Sequence, residues 1–181
     1  MSLAFAILGL LSYKQMTGYD LKNVFDASIK NIWPAHLSQI YRELSGLEGK
    51  DLVVSHTETQ ESRPDRKVYS LTDKGRDELN QWLNQTPQNF VSFTRDETAL
   101  RMFFGSKIDK DEMIFQLKTL IKQKKETIDV LHEIDAQIRN SSSETDKKFW
   151  LLSVMKGYKI AEAELSWAEV CIEELESMHD S

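Results

Sequence analysis

The chain is short of the residues that staple or break a fold. Its 181 residues include one cysteine, three prolines and seven glycines. A lone Cys171 cannot close an internal disulfide, so a reducing, cytoplasmic location is expected. Scarce Pro and Gly leave little turn material and favour long helices. The apolar run over residues 3–11 falls far short of the roughly 20 residues that span a bilayer. It also lacks the basic residues that precede the apolar core of a signal peptide, and it reads as a buried first helix. No membrane segment is expected.

Catalytic signatures are missing too. His36, His56, His132 and His179 are scattered, and none forms an HExxH pair. There is no GxSxG, no glycine-rich phosphate loop and no Cys-x-x-Cys. The carboxylates Glu162, Glu164, Glu169, Glu173, Glu174 and Glu176 read most simply as a solvated helix face. Neither an enzyme, a metal site nor a cofactor is expected.

What is present is an ordinary globular composition, 40% apolar and 29% charged, with a net charge of −6. That acidity is unevenly spread. Residues 1–87 carry 10 basic and 11 acidic side chains, whereas residues 88–181 carry 13 and 18. Within the nearly neutral first half, Arg63, Arg66, Lys67, Lys74 and Arg76 fall inside 14 residues. A local basic ridge suffices for a polyanion, because the contact surface sets the field.

Hydrophobic periodicity divides the chain into elements. Leu3, Ile7, Leu8 and Leu11 predict a helix over residues 3–12. Thr17 caps a second helix with Tyr19 or Leu21, Val24 and Phe25 on its apolar side. Trp33-Pro34 marks a break, and Leu37, Ile40, Leu44 and Leu47 predict a third helix over 34–49. The period then changes. Residues 52–57 read as a strand, 60–65 as a polar loop, and 66–71 as a second strand with Lys67, Tyr69 and Leu71 on one side and Val68 and Ser70 on the other. Thr72 caps a fourth helix over 73–85 with Leu79, Trp82 and Leu83 inward. Thr86-Pro87-Gln88-Asn89 is the expected boundary.

Beyond it the chain reads as helix: a short one over 93–105, a long one capped by Asp109 and reaching 140, a polar turn, and a last one over 145–178. The long helix has apolar positions Ile114, Leu117, Ile121, Ile128, Leu131 and Ile138, interrupted by Lys124 and Asp135. In the last helix Leu151, Val154, Tyr158, Ala161, Leu165, Ala168, Ile172 and Leu175 form a coiled-coil-like seam. Its partner is either the helix over 109–140 or a second copy, and both can hold. The expected fold is therefore mainly α with a small β-hairpin. It comprises a winged helix-turn-helix over 1–87 and a helical dimerisation domain over 93–181.

In a helix-turn-helix the second helix of the motif lies in the major groove. With its apolar face buried, the helix over 34–49 presents His36, Ser38, Gln39, Arg42 and Glu43. Gln suits adenine, Arg suits guanine, and Ser suits bases or phosphates. Tyr41 borders the apolar face and can send its hydroxyl to a phosphate. Arg63, Arg66 and Lys67 stand at the wing tip, where cations follow the backbone or enter the minor groove. Thr17 and Tyr19 flank a helix start whose N–H groups suit a phosphate. Plain structural readings compete with each: a solvated helix face, and charges that keep a hairpin soluble.

Several stretches resemble the PadR-like transcriptional regulators. Met16-Thr17-Gly18-Tyr19-Asp20-Leu21 is similar to that family's second-helix entry, and Ser38-Gln39-Ile40-Tyr41-Arg42-Glu43-Leu44 to its recognition helix. Arg66-Lys67-Val68-Tyr69-Ser70-Leu71-Thr72-Asp73-Lys74-Gly75 resembles its second wing strand and the following turn. Arg95-Asp96-Glu97 through Phe103-Phe104 resembles the start of the longer C-terminal domain of one branch. One departure is Asp51, where the family usually has Gly; Asp tolerates the left-handed conformation better than most residues. The resemblance implies a homodimeric repressor of double-stranded DNA, joined through its C-terminal helices and released by a small, often aromatic, molecule; the motif order and the α-helical seam add the expectation of a palindromic operator with one recognition helix per half-site. Phe103, Phe104, Trp150, Tyr158 and Trp167 are the aromatic candidates for effector contact, against a reading as core. The alternative to operator binding is a winged-helix protein-interaction module, favoured by the net acidity.

Overall fold

The computed structural model describes residues 2–29, 34–59, 65–87, 96–141 and 143–178. The expectations for Trp33, for residues 60–64 including Arg63, for the boundary residues Gln88 and Asn89, for the helix start at Phe93 and for Arg95 lie outside the described residues. The chain divides into two compact units, Met1–Phe90 and Val91–Ser181.

In the first unit, α1 (Ser2–Leu11) sinks Ile7, Leu8 and Leu11 into the core. A two-residue strand, β1 (Met16–Thr17), leads directly into α2 (Gly18–Val24), which continues as one π-helical turn, Phe25–Ile29. The Thr17 hydroxyl accepts the Asp20 N–H at 3.0 Å and the Asp20 carboxylate accepts the Thr17 N–H at 3.1 Å, a capping box that starts the helix. Leu21 and Phe25 point inward, while Tyr19 is exposed.

The next helix, α3 (Leu37–Glu48), starts three residues later than its Pro34 suggests. His36 has extended backbone and serves as its N-cap, and its N–H donates to Gln39 Oε1 at 2.8 Å. Ile40, Leu44 and Leu47 are buried. The helix ends in a Schellman closure: Leu52 N–H donates to Leu47 O and Asp51 N–H to Glu48 O, each at 3.0 Å. That motif needs a left-handed residue, and Asp51 supplies it at φ 60°. The turn is therefore kept without Gly.

The hairpin forms as expected, its first strand one residue later, but the sheet has a further strand. Strands β2 (Val53–Glu58) and β3 (Arg66–Leu71) pair antiparallel from Val53 opposite Leu71 to Glu58 opposite Arg66. On the other edge of β3 lies β1, with Met16 opposite Tyr69 and Thr17 opposite Val68. The sheet thus has three strands in the order β1-β3-β2. As the central strand, β3 buries both Val68 and Tyr69, although these face opposite sides.

Helix α4 (Asp73–Asn84) is capped by Thr72, whose hydroxyl accepts the Gly75 N–H at 3.0 Å. A Cβ on Gly75 would lie 2.0 Å from the Leu52 carbonyl oxygen, so only Gly lets α4 meet the start of the wing this closely. Leu79 is buried, but Trp82 and Leu83 are 42% and 63% exposed, contrary to their expected inward placement. The last turn of α4 runs past the core, where Trp82 stacks on Phe5 with ring centres 4.6 Å apart.

In the second unit, Asp96 caps α5 (Glu97–Phe103), a 3-10 turn follows at Gly105–Lys107, and Asp109 caps α6 (Lys110–Arg139). The last helix is α7 (Glu144–Ser177). Helices α6 and α7 run antiparallel: Lys110 meets the Met178 carbonyl, Lys124 meets Glu164, and Leu131 packs on Gly157. The α7 seam therefore has an in-chain partner. Two apolar clusters result. One joins Met113, Ile114 and Leu117 to Ala168 and Ile172; the other joins Leu131 and Ile134 to Val154. Met113 and Ile134 are buried members that the near-heptad reading omitted. Ala168 is fully buried, as close helix approach at a small residue requires.

Candidate nucleic-acid interface

With Ile40, Leu44 and Leu47 locked inward, α3 leaves Ser38, Gln39, Tyr41 and Arg42 exposed, and Glu43 half-buried. His36 is exposed too, at the cap rather than on the helix. A Cβ on Gly18 would lie 2.4 Å from Tyr41 Cε1. The Tyr41 ring thus rests on the first residue of α2, which ties the two helices of the motif together. Tyr19, 61% exposed, stands next to that contact.

Some expected contacts are already committed within the chain. The Thr17 hydroxyl donates to the Asp20 carboxylate at 2.7 Å while it caps α2. These hydrogen bonds from Thr17 hold the Asp20 carboxyl below its ordinary range, with smaller help from the charges of Arg66 and Lys14. A phosphate approaching the start of α2 would meet that carboxylate. Gln39 spends its oxygen on the His36 N–H.

The described wing cations Arg66 and Lys67 are likewise paired. Arg66 donates from Nε to Glu58 at 2.8 Å, with a second nitrogen 2.7 Å away. His56 Nε2 lies 3.5 Å from the same carboxylate. Lys67 Nζ reaches Glu48 at 2.8 Å, and Ser55 Oγ donates to the other Glu48 oxygen. The Lys67 hydrogen bond is the main reason that the Glu48 carboxyl sits low, and Glu48 in turn raises the Lys67 ammonium. Pattern reading missed Glu48, Ser55 and Glu58, because contacts across 19, 7 or 8 residues leave no periodic trace, and it missed Asp20, the local partner of the Thr17 cap. The close approach of Tyr41 to Gly18 was likewise not foreseen; the Thr-Gly-Tyr run signalled only a helix start.

The aromatic candidates of the second unit do not converge. Trp150, Tyr158 and Trp167 are spread along about 25 Å of α7 by helical rise alone. Tyr158 is half-buried, with its hydroxyl 2.9 Å from His132 Nδ1. Phe103 and Phe104 pack edge to face with ring centres 5.1 Å apart, and Phe103 is 81% exposed. Cys171 is half-buried, and burial pushes its thiol up, away from the reactive thiolate. Among the described residues no group of His, Cys, Asp and Glu could hold a metal ion, and no helix is long and apolar enough to cross a membrane.

Comparison with known proteins fits this architecture. The profile of the "Transcriptional regulator PadR-like family" matches residues 7–81, the helix-turn-helix, wing and most of α4. Residues 7–81 therefore carry the PadR-like domain. A second profile, "Virulence activator alpha C-term", matches residues 94–176, the helical unit. The "Negative transcriptional regulator PadR" of Bacillus subtilis is 36% identical over 110 residues, 61% of this chain. That match spans 60% of the relative's length. The crystal structure of Bacillus subtilis PadR in complex with operator DNA superposes with a TM-score of 0.83 at 27% identity, covering 97% of this chain and 99% of that one. The same protein in complex with p-coumaric acid gives 0.76 at 26% identity, covering 97% and 96%. The Vibrio cholerae virulence activator AphA gives 0.77 at 27% identity, covering 98% and 99%.

Proposed function

We propose that the protein is a homodimeric repressor that binds a double-stranded, palindromic operator and leaves it when a small aromatic molecule binds. Residues 1–87 read the DNA; residues 93–181 dimerise and take the effector. One observation carries this reading: Ser38, Gln39 and Arg42 stand exposed on a helix whose opposite face is fixed in the core. Arg42 offers a two-pronged donor for guanine, and Ser38 and Gln39 offer contacts to bases or phosphates. His36, Tyr19 and Tyr41 border this row. Arg66, with Arg63, serves the backbone from the wing. The operator complex of Bacillus subtilis PadR supports the DNA reading.

Dimerisation is supported by the second face of α7. Leu152, Met155, Ile160, Trp167 and Val170 remain exposed opposite the seam that α6 covers. A helix apolar on two faces calls for two partners. The effector reading is supported by the p-coumaric acid complex of the same neighbour.

The test is a gel shift with the DNA upstream of the protein's own gene, across salt concentrations and with aromatic acids added, followed by footprinting. Two protected half-sites centred about 34–36 Å or a multiple apart are expected. A single asymmetric footprint from a monomer would remove the dimeric reading. Effector binding should change tryptophan fluorescence through Trp150 or Trp167. Release of DNA unaffected by any substitution in residues 93–181 would refute that placement.

A further inference from the structure

Glu48 occupies an unusual place. It is the last residue of α3, the helix proposed to read bases, yet its two carboxylate oxygens serve the two strands of the wing. One accepts from Ser55 Oγ on β2; the other accepts from Lys67 Nζ on β3 at 2.8 Å. Lys67 is held on a second side by the Tyr69 ring, whose centre lies 5.1 Å from Nζ. Half of the Lys67 side chain and two thirds of the Glu48 side chain are shielded from solvent. Arg66 differs from Lys67 in one respect: its partner Glu58 stands directly opposite it on the neighbouring strand, so that pair ties the wing only to itself.

We infer that Glu48 and Lys67 form a brace that fixes the angle of the wing to the recognition helix. Lys67 is then a positioning residue rather than a phosphate contact. The inference rests on the proposed DNA binding. Two hydrogen-bond donors, one from β2 and one from β3, converge on a single carboxylate of α3, which a lysine kept free for phosphate would not need. A fixed angle lets helix and wing meet their two grooves at once, so the ordering cost falls before binding instead of during it. A brace releases no counter-ions from DNA. It should therefore act on the operator complex without touching the salt dependence, which counts phosphate contacts.

The experiment uses the full chain and two probes: a duplex that the unaltered protein selects from a random-sequence library, and a scrambled duplex. Lys67→Met, Glu48→Ala and the exchanged pair Glu48→Lys with Lys67→Glu are compared, with circular dichroism melting to confirm folding. Both single variants should weaken operator binding by a similar factor, roughly fivefold, since exposed ion pairs are individually modest. Affinity for the scrambled duplex and the salt slope should stay as in the unaltered protein, and the exchanged pair should recover most of the loss. The phosphate-contact alternative has opposite signs. Lys67→Met would then lower the salt slope by about one and weaken both duplexes alike. Glu48→Ala would strengthen binding by freeing a cation, and the exchanged pair, with an acid facing the backbone, would bind worst. That pattern overturns the brace and leaves the DNA reading standing. An unaltered protein that selects no duplex overturns both.

Discussion

The two units of this chain solve burial differently. The first gathers α1, α2, α3, α4 and the sheet around one cluster that includes Ile7, Leu8, Leu21, Phe25, Ile40, Leu44 and Tyr69. Its exposed large apolar residues are few, and Tyr13, Tyr19 and Tyr41 among them carry hydroxyls that suit a wet surface. The second has two small clusters, with the Lys124–Glu164 pair between them along the helices. It leaves Phe115, Val130, Phe149, Leu152, Met155, Ile160, Trp167 and Val170 in solvent. A unit with a closed core can present polar side chains for reading a surface. A unit of paired helices with apolar residues on the outer side is incomplete until something covers them.

Substitutions can break this contrast. The largest effect is expected for Leu44→Ala, which empties a fully buried site and should cost about 2–5 kcal/mol of stability by chemical denaturation. It should leave self-association unchanged, because it lies in the other unit. Leu152→Glu with Val170→Glu should act in reverse. Sedimentation should show association weakened by roughly 100-fold, about 2.7 kcal/mol, and a melting temperature that no longer rises with protein concentration. An association constant unmoved by this pair would mean that the outer face of α7 is not the interface.

Arg42→Ala should cost about 1–3 kcal/mol of operator affinity and relax preference at one base position, read by binding to a set of single-base operator variants. Thr72→Ala removes the cap of α4 and should cost about 1 kcal/mol in a melting experiment. The smallest effect is acid sensitivity. Glu48 and Asp20 titrate below their ordinary values of 4.5 and 3.8 because they are hydrogen-bonded in the folded chain. The stability they add is present above those values and is lost as pH falls through the lowered ones. Stability from these groups should be flat above about pH 5 and decline below about pH 4, and Glu48→Gln should remove its share of that decline. Asp20 is exposed and Glu48 only part-buried, which keeps the change small.

Much of the first unit was legible because its signals are local. Thr17 and Thr72 announce helix starts, and the spacing of Ile40, Leu44 and Leu47 announces a buried helix face. The left-handed turn at Asp51 follows from a chain that must reverse between helix and strand. What escaped was short or distant. The strand Met16–Thr17 is too brief to show a period, so a three-stranded sheet read as a hairpin. Pro34 pointed to an early helix start, but the Gln39 amide caps His36 and moves it. Trp82 and Leu83 follow the helical pattern of α4, yet the pattern cannot tell where the core ends.

The sequence alone determined the order of the helices and of the two long strands, the division of charge between the halves and the apolar seam of α7, because periodicity and capping act between residues a few positions apart. Only the tertiary structure decided what each exposed cation touches, which helix fills the seam and which face of α7 stays open. Those depend on groups brought together from distant positions, such as Glu48 with Lys67 and Lys124 with Glu164, whose pairing is set by packing rather than by spacing along the chain.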